Sequence, residues 1–423
     1  MKADNISQIY NIFSIQPLVD KEYYTKRQSP VDEIVKRLIV GTTEKPEKFL
    51  FTGHRGSGKS TELNILSDEV KKYNKYFVVK FSVSETLSIY DITYIDLLLT
   101  IGSEIYKQAF KNDIKISKEL CKDLSEWMIK RTKIEITEEN VSAGLEAGLN
   151  YLLGKLGTKM RVEATTREEI RKELKPRLGD LVEKINTMIY SIEDNSKLME
   201  SDKKIIVIID DLDKLDLKRA EELFYESSNS LTLPNCSIIY TIPLSIVHSN
   251  EYTQIKQNFT DAFILPNIRV WKSNGEKDEE ERKTLTTILE KRMDLKLISN
   301  EAINIAIENS GGNLYHFVYM IRSACINAIM RNRNKIEIED INSTINNMRN
   351  DFDRILRKEH YLILDEIHRT KVAVGGKILL ELFHNLSVLE YLNAKRWCDV
   401  HPLIVPLLKE RMEKQKNSKD TAR

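Results

Sequence analysis

The sequence predicts an α/β core built on a parallel β-sheet, followed by an all-α section and a small C-terminal domain. Phe49–Phe51 is a short apolar run that leads into a glycine-rich loop, and Ile205–Ile209 is a wholly apolar run that ends in two aspartates. Strands of this kind, separated by helical patterns, indicate a parallel, doubly wound sheet. From Glu279 onward, apolar residues recur at i, i+3 and i+4, which predicts packed helices.

The glycine-rich loop carries the most specific motif. Residues 53–61 match G-x-x-x-x-G-K-[ST] between a predicted strand and a predicted helix. Glycines permit positive φ, and a helix N-terminus favours phosphate. Lys59 is therefore expected to contact the β- and γ-phosphates of ATP, and Ser60 to bind Mg²⁺. A glycine-rich turn with a surface lysine is the alternative. The predicted phosphate-binding residues are Gly53, His54, Arg55, Gly56, Ser57, Gly58, Lys59, Ser60 and Thr61.

Acidic residues at the end of the second apolar run complete the predicted site. Asp210 is expected to hold Mg²⁺ through water, and Asp211 to polarise the attacking water. Asp213 is either part of the site or an N-cap or surface acid. Thr241, at the polar end of a further predicted strand (235–243), is expected to sense the γ-phosphate. The predicted catalytic residues are thus Lys59, Asp211 and Thr241.

Composition describes an ordinary globular chain. Its 423 residues are 41% hydrophobic and 30% charged, with a formal net charge of +1, so no global field attracts nucleic acid or an anionic membrane. The four cysteines are far apart, which argues against a zinc site and against a disulfide framework. With no signal-like start and no apolar run of membrane-spanning length, we expect a cytoplasmic protein with no membrane association.

Five segments are predicted along the chain. They are an N-terminal lead-in (1–29), the α/β core (30–272) with a helical insertion at about 110–200, a helical lid (273–350), a helix-helix-hairpin domain typical of a winged helix (351–412) and a charged tail (413–423). Within the insertion, residues 141–157 place glycines among leucines. Close helix packing, a mobile hairpin or a partner surface would each use them, and membrane insertion is a weaker interpretation.

These motifs together resemble the AAA+ ATPases, particularly the branch shared by origin-recognition ATPases and STAND signalling ATPases. The resemblance rests on Gly53–Thr61, Asp210–Asp213, Thr241 and Ser310–Asn313. It implies an AAA+-like core and a lid whose helix carries a second sensor arginine. Tyr315 occupies that position, which suits a slow switch better than a fast motor. His316 or Arg322 could take over sensing, and Arg269 is either an arginine finger for a neighbouring subunit or a surface residue.

Two functions remain open from the sequence. In the first, ATP controls the oligomeric state of a slow ATPase that regulates a separate effector protein, in the manner that the resemblance implies for bacterial antiviral defence. In the second, the chain is a DNA-associated loader or transposition-type ATPase. Lys395 and Arg396 are the only charges at the predicted wing tip, so packing or autoinhibition is favoured over DNA binding by that domain. Both functions require Lys59, Asp210 and Asp211.

Overall fold

The core is a five-stranded parallel sheet of order β2-β3-β4-β1-β5. The computed structural model describes residues 2–41, 45–134, 144–195, 198, 203–393 and 395–421, with side chains described to residue 414. The sheet confirms the predicted parallel α/β core. Its strands are β1 (Lys48–Gly53), β2 (Tyr76–Ser82), β3 (Lys204–Asp210), β4 (Ser237–Pro243) and β5 (Asp261–Ile264).

The register of the sheet brings the predicted site residues to one edge. Ser82 lies opposite Asp210, and Phe51 lies opposite Thr241. In β3 the residues from Ile205 to Asp210 are all buried, as expected for a strand covered on both faces. Because every strand runs in the same direction, the glycine-rich loop, Asp210 and the end of β4 meet at the carboxyl edge of the sheet.

Helices cover the sheet and connect its strands. The helix after the glycine-rich loop, Lys59–Lys72, packs on the sheet together with Val31–Val40. The other core helices are Val83–Thr86, Leu217–Glu221, Ser228–Leu231, Leu244–Val247 and Tyr252–Gln257, with a π-helical segment at Glu222–Glu226 and a 3-10 turn at Leu212–Lys214.

The insertion between β2 and β3 is helical where the structure describes it. Arg171 links helix Ala164–Leu174 to the start of the insertion through Asp91, with Nη1 3.0 Å from Oδ1, and through the buried Asp96. Arg167 adds a second contact to Asp91 at 2.9 Å. Residues 141–143 of the glycine-containing stretch lie outside the described residues. The helices are Tyr94–Lys111, Lys118–Thr132, Leu145–Val162, Ala164–Leu174 and Leu178–Glu193, with a 3-10 turn at Lys175–Arg177.

The C-terminal half contains four helices, then two helices, a hairpin and a final helix. Ile338–Ile355 is one continuous helix, so it crosses the boundary predicted at residue 350. The N-terminal helix Ile6–Ile12 packs on Leu314–Met330. Ala394, at the hairpin tip, lies outside the described residues. The remaining elements are Glu279–Arg292, Asn300–Ser310, Lys358–Thr370, Gly376–His384, β6 (Val388–Leu392), β7 (Arg396–Val400) and Val405–Thr421, with 3-10 turns at Lys21–Tyr23 and Leu295–Leu297.

Of the helices that the structure describes, none is both long and apolar enough to cross a membrane.

Candidate nucleotide-binding site

The glycine-rich loop runs from the end of β1 to the helix that begins at Lys59. Gly56 and Gly58 have φ of +75° and +95°, a region that disfavours residues with a Cβ. A Cβ on Gly56 would also lie 2.5 Å from the Cβ of Tyr315. The glycines of the motif therefore permit the backbone conformation of the loop. They also allow the close approach of the segment that carries Tyr315.

Lys59, the predicted phosphate-binding cation, is buried and already paired. Its Nζ donates to the carbonyl oxygens of Gly53 at 2.9 Å and His54 at 2.7 Å. It also lies 2.8 Å from Oδ2 of Asp213. The sequence left Asp213 undecided between a site residue and a surface acid, and the structure places it in the site as the partner of Lys59.

Asp210, Asp211 and Asp213 form a buried acidic cluster whose ligand oxygens lie within 4.8 Å of one another. Burial raises the pKa of Asp210, and the charges of Asp213 and Asp211 add to that effect, while a hydrogen bond from Ser60 opposes it. Carboxylate and hydroxyl oxygens are suited to Mg²⁺, and a cation would relieve the repulsion among these acids. The predicted Mg²⁺ ligands Ser60 and Asp210 thus lie together in a cluster that fits the ion.

Asp211 is held differently from its neighbours. Its φ is +73°. Its Oδ2 accepts hydrogen bonds from Ser82 Oγ at 2.6 Å and from Ser84 Oγ, and its Oδ1 lies 2.6 Å from Nζ of Lys214. Burial acts to raise the pKa of Asp211, but the hydrogen bonds from Lys214, Ser82 and Ser84 outweigh it, so the pKa is lowered. An ionised carboxylate is suited to polarise water, and that role stays a prediction.

Thr241 is fully buried at the end of β4. Its hydroxyl donates to the carbonyl oxygen of Ile209 at 3.1 Å and accepts from the backbone N–H of Leu212 at 3.0 Å. It therefore links β4 to the turn that carries Asp213. Its predicted role in sensing the γ-phosphate stays a prediction.

The N-terminal lead-in supports the loop from outside. Arg27 Nη1 donates to the carbonyl oxygen of Ser57 at 2.9 Å, and Nη2 donates to that of Pro266. Burial lowers the pKa of Arg27. Thr61 Oγ1 accepts from the backbone N–H of Leu18 at 3.1 Å. Sequence reasoning did not find these contacts, because a side chain that bonds to backbone carbonyls leaves no motif.

The start of helix Leu314–Met330 lies directly on the loop. The backbone N–H of Tyr315 donates to the carbonyl oxygen of Gly56 at 2.9 Å, and Asn313 Nδ2 donates to that of Arg55 at 2.7 Å. A Cβ on Gly312 would lie 1.7 Å from the carbonyl oxygen of Ile268. The residue predicted at the second sensor position, Tyr315, thus contacts the loop through its backbone.

The two other residues considered for sensing point elsewhere. Arg322 lies over the ring of Tyr10, 4.0 Å from the ring centre. His316 is buried, with Nδ1 2.9 Å from Nε2 of His401. In this arrangement neither side chain contacts the glycine-rich loop.

The C-terminal hairpin closes the other side of the loop. His54 Nε2 accepts from the backbone N–H of Glu390 at 2.7 Å, and Oε2 of Glu390 lies 2.7 Å from Nε2 of His248. Burial lowers the pKa of His54 to about 3, with the charges of Lys59 and His248 as further causes. The hairpin therefore contacts the loop and the segment that follows β4.

Arg269 joins the hairpin to the segment that follows β5. Its Nη1 donates to the carbonyl oxygen of Leu392 at 2.8 Å, and its Nε lies 3.1 Å from Oδ2 of Asp278. The side chain is 17% exposed. The sequence left open an arginine finger or a surface role for Arg269. In the structure its guanidinium contacts other residues of the same chain.

The sequence of residues 29–350 matches the KAP family P-loop domain. This chain belongs to the KAP family. The match covers more than half of the chain, including β1 to β5, the acidic cluster and helix Leu314–Met330. Arg27 and Glu390, which both contact the KAP domain's loop, lie outside the matched residues.

Several solved structures are similar to this chain. They include a Walker-type ATPase of Pyrococcus abyssi (15% identity, 94% of this chain and 99% of that chain, TM-score 0.44) and Cdc6p of Pyrobaculum aerophilum (11%, 94% and 100%, 0.41). Drosophila ORC bound to DNA is another (9%, 96% and 92%, 0.42). None of the curated proteins compared with the chain matches it.

Little space remains between the KAP domain's loop and the C-terminal domain. The cavity lined by Gly53, His54, Arg55, Asp213 and Phe383 has a volume of about 10 Å³. That is about the space that one water molecule requires.

Proposed function

We propose that this KAP protein is a slow, ATP-controlled switch. ATP and Mg²⁺ bind at the loop and the acidic cluster, and the bound nucleotide determines whether the lid and C-terminal hairpin stay packed on the loop. The observation that carries the proposal is that protein groups already occupy the loop: Asp213 pairs with Lys59, and Glu390 donates to His54.

Binding of ATP would exchange partners at Lys59. The β- and γ-phosphates would replace Asp213 and the carbonyl oxygens of Gly53 and His54 as partners of the ammonium. Ser60 and Asp210 would hold Mg²⁺, which neutralises phosphate charge when bound. Asp213, released from Lys59, would then add its charge to the metal-binding cluster.

Hydrolysis would rely on Asp211 as the group that orients and polarises water. Ser82, Ser84 and Lys214 fix its carboxylate and favour its ionised form. Thr241 would respond to the γ-phosphate through its bond to Leu212, next to Asp213. Because Tyr315 stands where the resemblance expects the second sensor arginine, we propose a low turnover rate, as suits a switch.

The loop also provides a route from nucleotide to hairpin. His54 gives its carbonyl to Lys59 and its Nε2 to Glu390, so one residue contacts both the phosphate-binding cation and the C-terminal domain. A change in loop conformation therefore alters the hairpin contact directly. Release of the hairpin would expose surface on which copies of the chain assemble and act on a separate effector, for which antiviral defence in the cytoplasm is the proposed setting.

Molar mass in solution tests this function. Light scattering is run without nucleotide, with ADP and with a non-hydrolysable ATP analogue. We expect the mass to rise with the analogue alone, and not in Lys59→Ala. Hydrogen exchange over residues 388–400 reports the hairpin separately and should increase in the same state. Bound analogue with unchanged exchange and unchanged mass would overturn the switch.

The DNA-loader alternative has its own measurement, the salt dependence of duplex binding. A protein that neutralises several phosphates loses affinity steeply with salt. Arg396, one of two charges predicted at the wing tip, lies with its Nε 3.6 Å from Oε2 of Glu390. Tight duplex binding with a steep salt slope, lost in Arg396→Ala, would favour the loader over the switch.

A further inference from the structure

The helical insertion contains a cavity of about 190 Å³ that the nucleotide chemistry does not use. Helices Tyr94–Lys111 and Leu145–Val162 form its walls, and the short helix Val83–Thr86 closes one end. The cavity is far larger than the space beside the phosphate loop. Pockets that bind small molecules combine apolar walls with a few polar groups.

A buried hydroxyl without a partner lies beside the cavity. Ser103 is 5% exposed, and its Oγ has no hydrogen-bond partner within the described part of the chain. Buried polar groups nearly always have a partner, so an unpaired one indicates a missing donor or acceptor. Ser103 contributes to the cavity lining, but its Oγ is itself buried and does not face the open space.

The opposite wall contains glycines whose packing does not require them. A Cβ added to Gly154 would meet nothing within 4 Å, and one on Gly157 would meet only Nζ of Lys107, at 3.7 Å. Glycine inside a helix is unfavourable relative to alanine and usually has a packing or functional reason. No neighbouring atom would clash with a side chain at Gly154. The space that a side chain would occupy there is part of the cavity.

Charges of both signs line the cavity. Glu104 Oε1 lies 2.8 Å from Nζ of Lys107, and these side chains are 14% and 31% exposed. Glu85 and Arg161 are more exposed lining residues. A purely anionic ligand would meet two carboxylates, and a purely cationic ligand would meet two cations. A small molecule with both charges satisfies all four groups.

We propose that this cavity binds a free amino acid. Its ammonium group would pair with Glu104 and Glu85, and its carboxylate with Lys107 and Arg161. The buried side chains of Leu99, Leu156 and Met160 supply the apolar surface for its side chain.

The cavity is connected to the nucleotide site through residues 82–86. Glu85 and Thr86 line it, and they belong to the segment in which Ser82 and Ser84 donate to Asp211. Thr86 Oγ1 also donates to the carbonyl oxygen of Ser82 at 3.0 Å. An occupant therefore contacts the segment that positions Asp211 and would change the rate of hydrolysis. This coupling rests on the proposed function, whereas binding to the cavity does not.

The binding test uses the full chain and each of the common L-amino acids at millimolar concentration. Thermal unfolding identifies binders, and calorimetry measures their affinity. Gly154→Met fills the cavity, and Gly154→Ala is the matched control, since both raise helix propensity. We expect at least one amino acid to bind the wild type and Gly154→Ala, and to bind Gly154→Met at least tenfold more weakly. Glu104→Gln and Lys107→Met should each weaken binding in the same way.

The outcomes separate the site from its coupling. If no amino acid binds, or if Gly154→Met binds as the wild type does while remaining helical by circular dichroism, the site is refuted. If binding occurs but kcat for ATP is unchanged, the coupling is refuted. A chain that binds the amino acid and does not hydrolyse ATP would refute the proposed function and leave the site in place.

Discussion

The phosphate loop and the insertion differ in how they use space. At the loop, the lid packs so closely that a Cβ on Gly56 would lie 2.5 Å from the Cβ of Tyr315, and Gly312 in the lid has no room for a Cβ beside Ile268. In the insertion, Gly154 has open space beside it and a cavity of about 190 Å³ lies between the helices. Other parts of the protein pack against the loop, which carries the specific motif. The insertion, which carries no motif, contains the larger cavity. A specific sequence motif therefore does not by itself indicate an accessible site.

Among substitutions around the loop, we expect Lys59→Ala to have the largest effect on both ATP hydrolysis and stability. It removes the cation that we propose binds phosphate, so we expect at least about a 100-fold loss of ATP hydrolysis. It also leaves Asp213 buried without its partner, so the free energy of unfolding should fall. Urea unfolding of Lys59→Ala with Asp213→Asn separates the two effects: the second substitution should restore stability and not activity. Restored hydrolysis would contradict the assignment of Lys59.

A matched pair of glycine substitutions sharpens the comparison. Gly312→Ala places a Cβ 1.7 Å from the carbonyl oxygen of Ile268 at a φ of +75°, and should cost about 3 kcal/mol of unfolding free energy or release the lid from the loop. Gly154→Ala should instead stabilise the chain by up to about 1 kcal/mol, because a helical glycine is replaced where space is open. Urea unfolding measures both, and equal effects would show that the two regions are packed alike.

As the pH falls, the packing around the loop should lose stability at a higher pH than the packing of the insertion. Burial lowers the pKa of His54 to about 3 and of His316 to about 4, and lowers that of His401 well below its usual value. The pKa of a histidine in the unfolded chain is about 6.5. The stability that these neutral, buried histidines allow is therefore fully present above that pH and is lost as the pH decreases towards 4. Each histidine contributes up to about 1.4 kcal/mol per pH unit in that window.

Hydrogen exchange between pH 7 and pH 5 checks this order. Peptides from the hairpin and from helix Leu314–Met330 should lose protection first, and those of helix Tyr94–Lys111 last. His54→Gln keeps an acceptor for Glu390 and removes one titration, so its pH slope should be smaller. Loss of protection in the insertion first would contradict the expected order.

Ser84→Ala should have the smallest effect. One of the hydrogen bonds to Asp211 is lost, which is worth about 1 kcal/mol, so kcat should fall about fivefold while KM for ATP stays constant. Ser84→Thr keeps the hydroxyl and serves as the control. A change in KM alone would show that this segment acts on nucleotide binding and not on Asp211.

Local sequence determined which residues are candidates for the site, and it predicted the core that carries them. The spacing of Gly53 to Thr61 and the apolar run before Asp210 each lie within about ten residues, so a single stretch defines a strand, its end and the groups placed there. Parallel strands then bring these ends to one edge, and the predicted parallel core is confirmed. Predicted helices in the C-terminal half are also present, because periodic apolar residues report burial directly.

Only the tertiary structure decided what touches the loop and what stays open. His54 and Glu390 are separated by 336 positions, and their bond uses a backbone N–H that no residue type signals. Arg27 likewise donates hydrogen bonds to backbone carbonyl oxygens. Asp213 lies next to Lys59 because β1 and β3 belong to one sheet. The cavity beside Gly154 arises from the crossing of helices from separate segments. Contacts of this kind depend on how elements pack, and packing is not contained in any one stretch of sequence.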